Sequence, residues 1–275
     1  MTDFLHDMAV MSRQRVDVAT GAMPAVELLA RIKDLAAPPS LRLGGGFDLI
    51  AEVKLRSPAV GLLQSTTSTP ATDRVVAYAG AGVAAVSVLT EPTRFDGSMS
   101  DLTTAADALT PLAVPAMRKD FLVDPYQVLE ARASGAGGVL VILRMLPRAI
   151  LEQLIDTALE HGLFVLLEAF DEADIELAEI LVTAQASSRH KLLVGVNCRD
   201  LVSLQVVPGR LELLAPRLPS SVLRVAESGV ATPQDAARMA AVGYQLALVG
   251  SALMVHRDPA ILIGAMLTAA RRALA

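Results

Sequence analysis

Glu52 and Lys54 stand one residue apart in the apolar run "LIAEVKLRSP" (49–58). In an extended chain, side chains alternate with period two, so both point to one face. A carboxylate and an amine held together there suit acid–base work, because burial and neighbouring charge move their pKa values toward neutrality. The same residue types recur at the ends of later apolar runs: Lys119 in "MRKDF", Glu168 in "LFVLLEA", and Asn197 with Arg199 in "VGVNCRD". A different pattern follows the last two runs, where "AESGV" and "VGSAL" carry Ser228–Gly229 and Gly250–Ser251. Small residues where a strand meets a helix leave backbone N–H groups open to an anion such as phosphate. Ser57 in "RSPAVG" is a further donor of this kind.

Side chains so far apart in the chain need a scaffold that gathers them. From Asp48 onward, short β-branched runs alternate with segments of helical period. Eight such runs are expected as strands: 48–54, 83–89, 113–118, 137–143, 163–169, 191–197, 221–227 and 244–250. The segments between them carry helix punctuation. Thr69 or Thr72, Asp124 and Thr232 sit at N-cap positions, with Pro70, Pro125 and Pro233 near the first turn. Gly82, Gly135, Gly162 and Gly243 fall where helices end. Mostly apolar strands separated by helices imply a parallel sheet covered on both faces. Eight units predict an α/β fold, a single (β/α)8 TIM barrel over 48–275, with an N-terminal helical extension over 1–47 packed on it. The extension is expected to contain an amphipathic helix at 25–36. An open doubly wound sheet is the alternative, but no G-x-G-x-x-G follows the first strand.

In such a barrel the strands' C-terminal ends carry the chemistry. Taken singly, each charge above is a solvated loop charge or an ion pair. Together they place two lysines and two carboxylates at one mouth, where an isolated buried charge costs several kcal/mol unless paired or working. Glu227 is ambiguous, either inside the barrel or anchoring a loop, and is left outside the catalytic set. Cys198 has no histidine near it in sequence and reads as a small packed residue. The four histidines have no metal-ligand spacing.

Bulk properties narrow the classes further. The 275 residues are 53% hydrophobic and 19% charged, enough for a large core and against disorder. A formal net charge of -5 gives no electrostatic reason to expect nucleic acid. One cysteine excludes an intrachain disulfide, and no run approaches the roughly 18 apolar residues of a membrane span. The N-terminus has early acids and does not read as a secretory signal. A cytoplasmic protein with no cofactor and no metal is expected.

The segments "IAEVKLRSP" with its following "VG", "VSVLTEPTRFDGSMSDL", "MRKDFLVDPYQVLEARASGAG", "VGVNCRDL" and "VAESGVATPQD…LVGSALM" resemble the indole-3-glycerol phosphate synthase family. The resemblance runs in order through residues 48–260, and "RKDFLVDPYQ" is its most specific part. It implies a carbon–carbon lyase of tryptophan biosynthesis. Such enzymes close the pyrrole ring of 1-(2-carboxyphenylamino)-1-deoxyribulose 5-phosphate with loss of CO2 and water. By resemblance Lys119 is the general acid at the substrate carbonyl. Lys54 holds the carboxylate and serves in dehydration, while Glu52 and Glu168 relay protons, Glu168 as base. Asn197 orients by a hydrogen bond and Arg199 meets the anthranilate carboxylate. Ser57, Ser228, Gly229, Gly250 and Ser251 resemble the phosphate cradle, and Phe121 and Leu143 the walls against the ring. After Glu168 the family usually carries a branched residue and then His or Asn, where this chain has Ala169–Phe170–Asp171. That departure keeps open a paralogue taking a substituted anthranilate-derived substrate, and a non-catalytic phosphate-binding barrel is the other alternative. The implied partner is a small phosphorylated molecule. A monomer or weak homodimer is expected, with contact to other tryptophan-pathway enzymes left open.

Overall fold

Eight strands alternate with helices in the computed structural model, which describes residues 4–54, 56–57, 61–62, 71–201 and 205–275. The strands are β1 (Asp48–Val53), β2 (Ala85–Leu89), β3 (Ala116–Lys119), β4 (Gly138–Ile142), β5 (Phe164–Ala169), β6 (Leu192–Asn197), β7 (Leu223–Glu227) and β8 (Leu246–Val249). Each pairs in parallel with its sequence neighbours, and β1 pairs with both β2 and β8, so the sheet closes on itself. Closure leaves the barrel no unpaired edge. A short antiparallel pair, Arg56–Ser57 with Gly61–Leu62, lies outside it.

The strands are apolar on both faces because both are covered. Leu49, Val86, Val139, Val165, Val194 and Val249 point outward into the layer shared with the helices. Ile50, Met117, Leu140, Leu166, Leu193 and Val225 point inward and fill the barrel. Two residues further along each strand the inward face delivers Glu52, Lys119, Ile142, Glu168, Gly195 and Glu227. The alternation that builds the core therefore also delivers the polar layer above it.

Helix ends follow the expected chemistry. The Asp124 side chain accepts from Tyr126 N at 2.9 Å, and Thr232 with Asp235 closes a capping box. Gly135 takes φ +84° at the end of the helix Pro125–Ala133, a conformation that favours glycine. Thr69 lies outside the described residues. The third strand begins at Ala116 instead of 113, because Ala113 turns at φ 55° and Pro115 has no N–H for a ladder.

The extension holds two helices, Phe4–Ala22 and Ala25–Lys33. The first was not separated by sequence pattern. Its buried stripe, Leu5, Met8, Ser12 and Val16, includes a serine, while Val18 on the open side is 74% exposed. The apolar and polar faces thus contrast weakly. This helix lies over the C-terminal end of β3. Ser12 Oγ donates to Phe121 O at 2.5 Å, and Gln127 Nε2 donates to Ser12 Oγ at 2.9 Å. Arg15 donates to both oxygens of Asp120, at 3.0 and 2.7 Å. Among the described residues no helix is long and apolar enough to cross a membrane.

Candidate active site

A cavity of about 300 Å3 opens at the C-terminal ends of the strands. Glu52, Lys54, Lys119, Glu168, Asn197 and Arg199 all line it. Period two brings Glu52 in from β1, with Lys54 just past its end, and the Lys54 Nζ lies 2.6 Å from Glu52 Oε1. Lys119, the last residue of β3, reaches Glu168 Oε1 at 3.3 Å and Glu227 Oε2 at 4.0 Å. Asn197 Nδ2 donates to the same Glu168 oxygen at 3.0 Å, while Asn197 Oδ1 accepts from Arg199 N at 2.9 Å. Glu168 is thereby held from two sides, and Asn197 cannot turn without losing both bonds.

Charge distribution sorts these groups. Burial works against a charged Lys119, but Glu168, Glu227 and Glu52 outweigh it and leave its pKa raised. Burial likewise pushes Glu52 up, yet Lys54 and Lys119 outweigh it and leave its carboxyl below the usual range. Glu227 goes the other way. Its burial, with the negative charge of Glu168 beside it, overcomes Lys119 and holds its carboxyl well above the usual range. Among the described residues no donor lies within hydrogen-bond distance of either buried Glu227 oxygen, and the carboxylate it lies against is that of Glu168.

Small residues also line the cavity. Ser228 takes φ 66° and Gly229 φ 71°, a sharp turn after β7. A non-glycine residue held there costs on the order of 1 kcal/mol or more, strain that clusters at functional sites. A Cβ on Gly229 would lie 2.8 Å from Cys198 Sγ. Gly250 and Ser251 line the cavity after β8. Gly250 has a second consequence: a Cβ there would overlap Glu52 Oε1 and lie 3.1 Å from Lys54 Nζ. It makes room for the Glu52–Lys54 pair. The Ser57 side chain lies outside the described residues.

The apolar wall differs in part from expectation. Phe121 lines the cavity, edge-on to Phe4 at 5.8 Å and 78°, with Phe95 6.2 Å away. Leu143 does not line it; it is fully buried in the outward layer. Leu140 and Ile142 of β4 take that place, because they have the inward parity and Leu143 does not. Cys198 is buried, which pushes its thiol up to about 11, so it is a packed residue. Phe170 packs beneath the Arg144 guanidinium, 4.7 Å from its ring centre, and does not line the cavity.

Glu227 was passed over from sequence. The rule that selected Glu168, the last inward position of an apolar run, selects Glu227 equally, since Asn197 and Glu227 are ladder partners. Phe4 and Phe95 carried no local signal, since both reach the cavity from outside the strands.

The indole-3-glycerol phosphate synthase family model matches residues 31–266. The chain belongs to the indole-3-glycerol phosphate synthase family. An indole-3-glycerol phosphate synthase of Mycobacterium sp. (strain KMS) is 39% identical over 268 residues, covering 95% of this chain and 93% of that protein. One from a Nocardioides species is 40% identical over 256 residues, 91% of this chain and 93% of its own. Solved structures at low identity share the fold. A 3-hexulose-6-phosphate synthase from Salmonella typhimurium superposes with TM-score 0.61 at 14% identity, over 82% of this chain and 100% of that one. A tryptophan synthase structure from M. tuberculosis does so with TM-score 0.57 at 16%, over 82% and 92%.

Proposed function

We propose that this chain is an indole-3-glycerol phosphate synthase, closing the pyrrole ring of 1-(2-carboxyphenylamino)-1-deoxyribulose 5-phosphate. The observation that carries this reading is the meeting of Lys119, Glu168 and Asn197 with the Lys54–Glu52 pair in one cavity. Small-residue turns and phenylalanines line that same cavity.

The steps follow from bond changes. The ring carbon bearing the carboxylate attacks the ribulose carbonyl carbon, and the carbonyl π pair moves to oxygen, which takes a proton. Lys119 is the donor, kept protonated by the carboxylates around it. The bond to the carboxylate then breaks, its electron pair restores the aromatic ring, and CO2 leaves. The apolar wall around Phe121 favours loss of the charged group. Next the new hydroxyl departs as water with a proton from Lys54, while Glu168 removes a proton from the adjacent methylene. Glu52, its carboxyl held below the usual range, stays ionised 2.6 Å from Lys54 Nζ. Asn197 orients Glu168. Glu227, whose carboxyl burial and Glu168 hold well above the usual range, donates a hydrogen bond to a hydroxyl of the sugar chain.

Lys54, Lys119 and Arg199 line the cavity and supply positive charge for a substrate carrying a carboxylate and a phosphate. Arg199 receives the carboxylate. Ser57, Ser228, Gly229, Gly250 and Ser251 receive the phosphate, whose remote binding energy holds the reactive end in place. Residues 1–47 and 48–275 act as one catalytic unit, a monomer or weak homodimer in the cytoplasm. A substituted-ring substrate gains no support from Phe170, which does not line the cavity.

Incubation with the substrate tests the reading. Indole fluorescence should rise in step with CO2 release. Saturable phosphate-dependent binding without either signal would leave only a binding barrel.

A further inference from the structure

Gly195 sits in the middle of β6, between Val194 and Val196, with Glu168 beside it on β5 and Val225 beside it on β7. A glycine inside a strand weakens it by roughly 0.5–1 kcal/mol relative to alanine. Its conformation does not demand glycine, since it is absent from the residues with left-handed φ. A glycine without that need marks a close approach of something else.

What approaches is Glu227. A Cβ built on Gly195 would overlap Glu227 Oε1 and lie 3.0 Å from its Cδ and 3.1 Å from Leu166 Cδ1. The Glu227 carboxyl therefore leans over β6 into the space that the missing side chain leaves. Its neighbours there are the Glu168 carboxylate, within hydrogen-bonding reach, and Lys119 Nζ at 4.0 Å. The space above Gly195 is what lets it reach both.

We propose that Gly195 is a positioning residue: by lacking a side chain it seats the Glu227 carboxyl between Glu168 and Lys119, facing the substrate. The catalytic part rests on the role given to Glu227 above. An alanine at 195 displaces that carboxyl by more than an ångström while leaving Lys119, Glu168 and Asn197 untouched. Displacements of this size cost about 100-fold in rate.

A double-mutant cycle over Gly195→Ala and Glu227→Ala tests it, read both as kcat and KM and as urea midpoint. Gly195→Ala should lower kcat about 100-fold with little change in KM. In the Glu227→Ala background the same change should cost less than about threefold, because there is no carboxyl left to displace. Gly195→Ala should also lower the urea midpoint of the wild type but not that of Glu227→Ala. Near-normal kcat in Gly195→Ala, or an equal loss in both backgrounds, would overturn the proposal. Wild-type kcat in Glu227→Ala would instead remove the role of Glu227, and the unfolding cycle would still read the seat. Should Gly195→Ala not fold, recovery of folding in the double variant is the expected result. Failure of the double variant as well would overturn the seat.

Discussion

Arg15→Met separates the contribution of the first helix from that of the barrel. The Asp120 side chain is fully buried, and that of Arg15 is 28% exposed. Asp120 accepts from Arg15 twice, from Arg118 Nη2 at 3.1 Å, from Thr90 Oγ1 at 2.7 Å and from Phe121 N at 2.8 Å. Removing Arg15 leaves three of these donors, so Asp120 does not become an unpaired buried charge. The cost is that of a charge-assisted pair, about 1.5–3 kcal/mol, with methionine keeping the apolar stem. Asp120→Ala is worse, because it removes at once the acceptor shared by Arg15, Arg118, Thr90 and Phe121 N, leaving the buried Arg118 only Glu130 as a charged partner among the described residues, and about 3 kcal/mol or more is expected. Phe4, at the start of the Arg15 helix, packs edge-on against Phe121 at the cavity, so loosening the helix opens the ring wall. Urea unfolding at neutral pH should therefore show Arg15→Met destabilised by about 2 kcal/mol, with KM up several-fold and kcat changed less. An unfolding free energy within about 0.5 kcal/mol of wild type would refute the reasoning. So would a loss as large as that of Asp120→Ala.

Lys119→Ala should lower kcat by about 100-fold or more while the far-ultraviolet circular dichroism stays that of the wild type. A near-normal rate would remove its acid role. Gly250→Ala should lower kcat as well as raise KM, since the new methyl meets the Glu52–Lys54 pair. A change confined to KM would make the residue a phosphate contact alone. Acid stability should report Asp120, whose pKa is lowered from 3.8 to about 2: burial pushes it up, but Arg118 and Arg15 prevail. A lowered folded-state pKa stabilises above the unfolded value, and that stability is lost as pH falls. About 2 kcal/mol should thus disappear between roughly pH 4 and pH 2 in the wild type. Asp120→Asn should lack that component of the slope in urea midpoints, and parallel slopes would count against it.

What the residues alone decided is what repeats locally. Period-two alternation, N-cap side chains and terminal glycines marked eight strands within a few residues of where they lie, because those signals act over a single turn or pleat. The strand ends then pointed to Glu52, Lys54, Lys119, Glu168 and Asn197. Which of two adjacent apolar residues faces inward depended on parity set by the whole sheet. Leu143 was accordingly assigned to the wall that Leu140 and Ile142 form. The helix Phe4–Ala22 carried weak local contrast because part of what it covers is the polar knot around Asp120, visible only once the chain has returned from 105 residues away. Glu227 likewise became meaningful only when closure brought it 4.0 Å from Lys119, and Gly195 only when that carboxyl needed somewhere to lie. Distances across the barrel are consequences of sheet closure, and no stretch of sequence contains them.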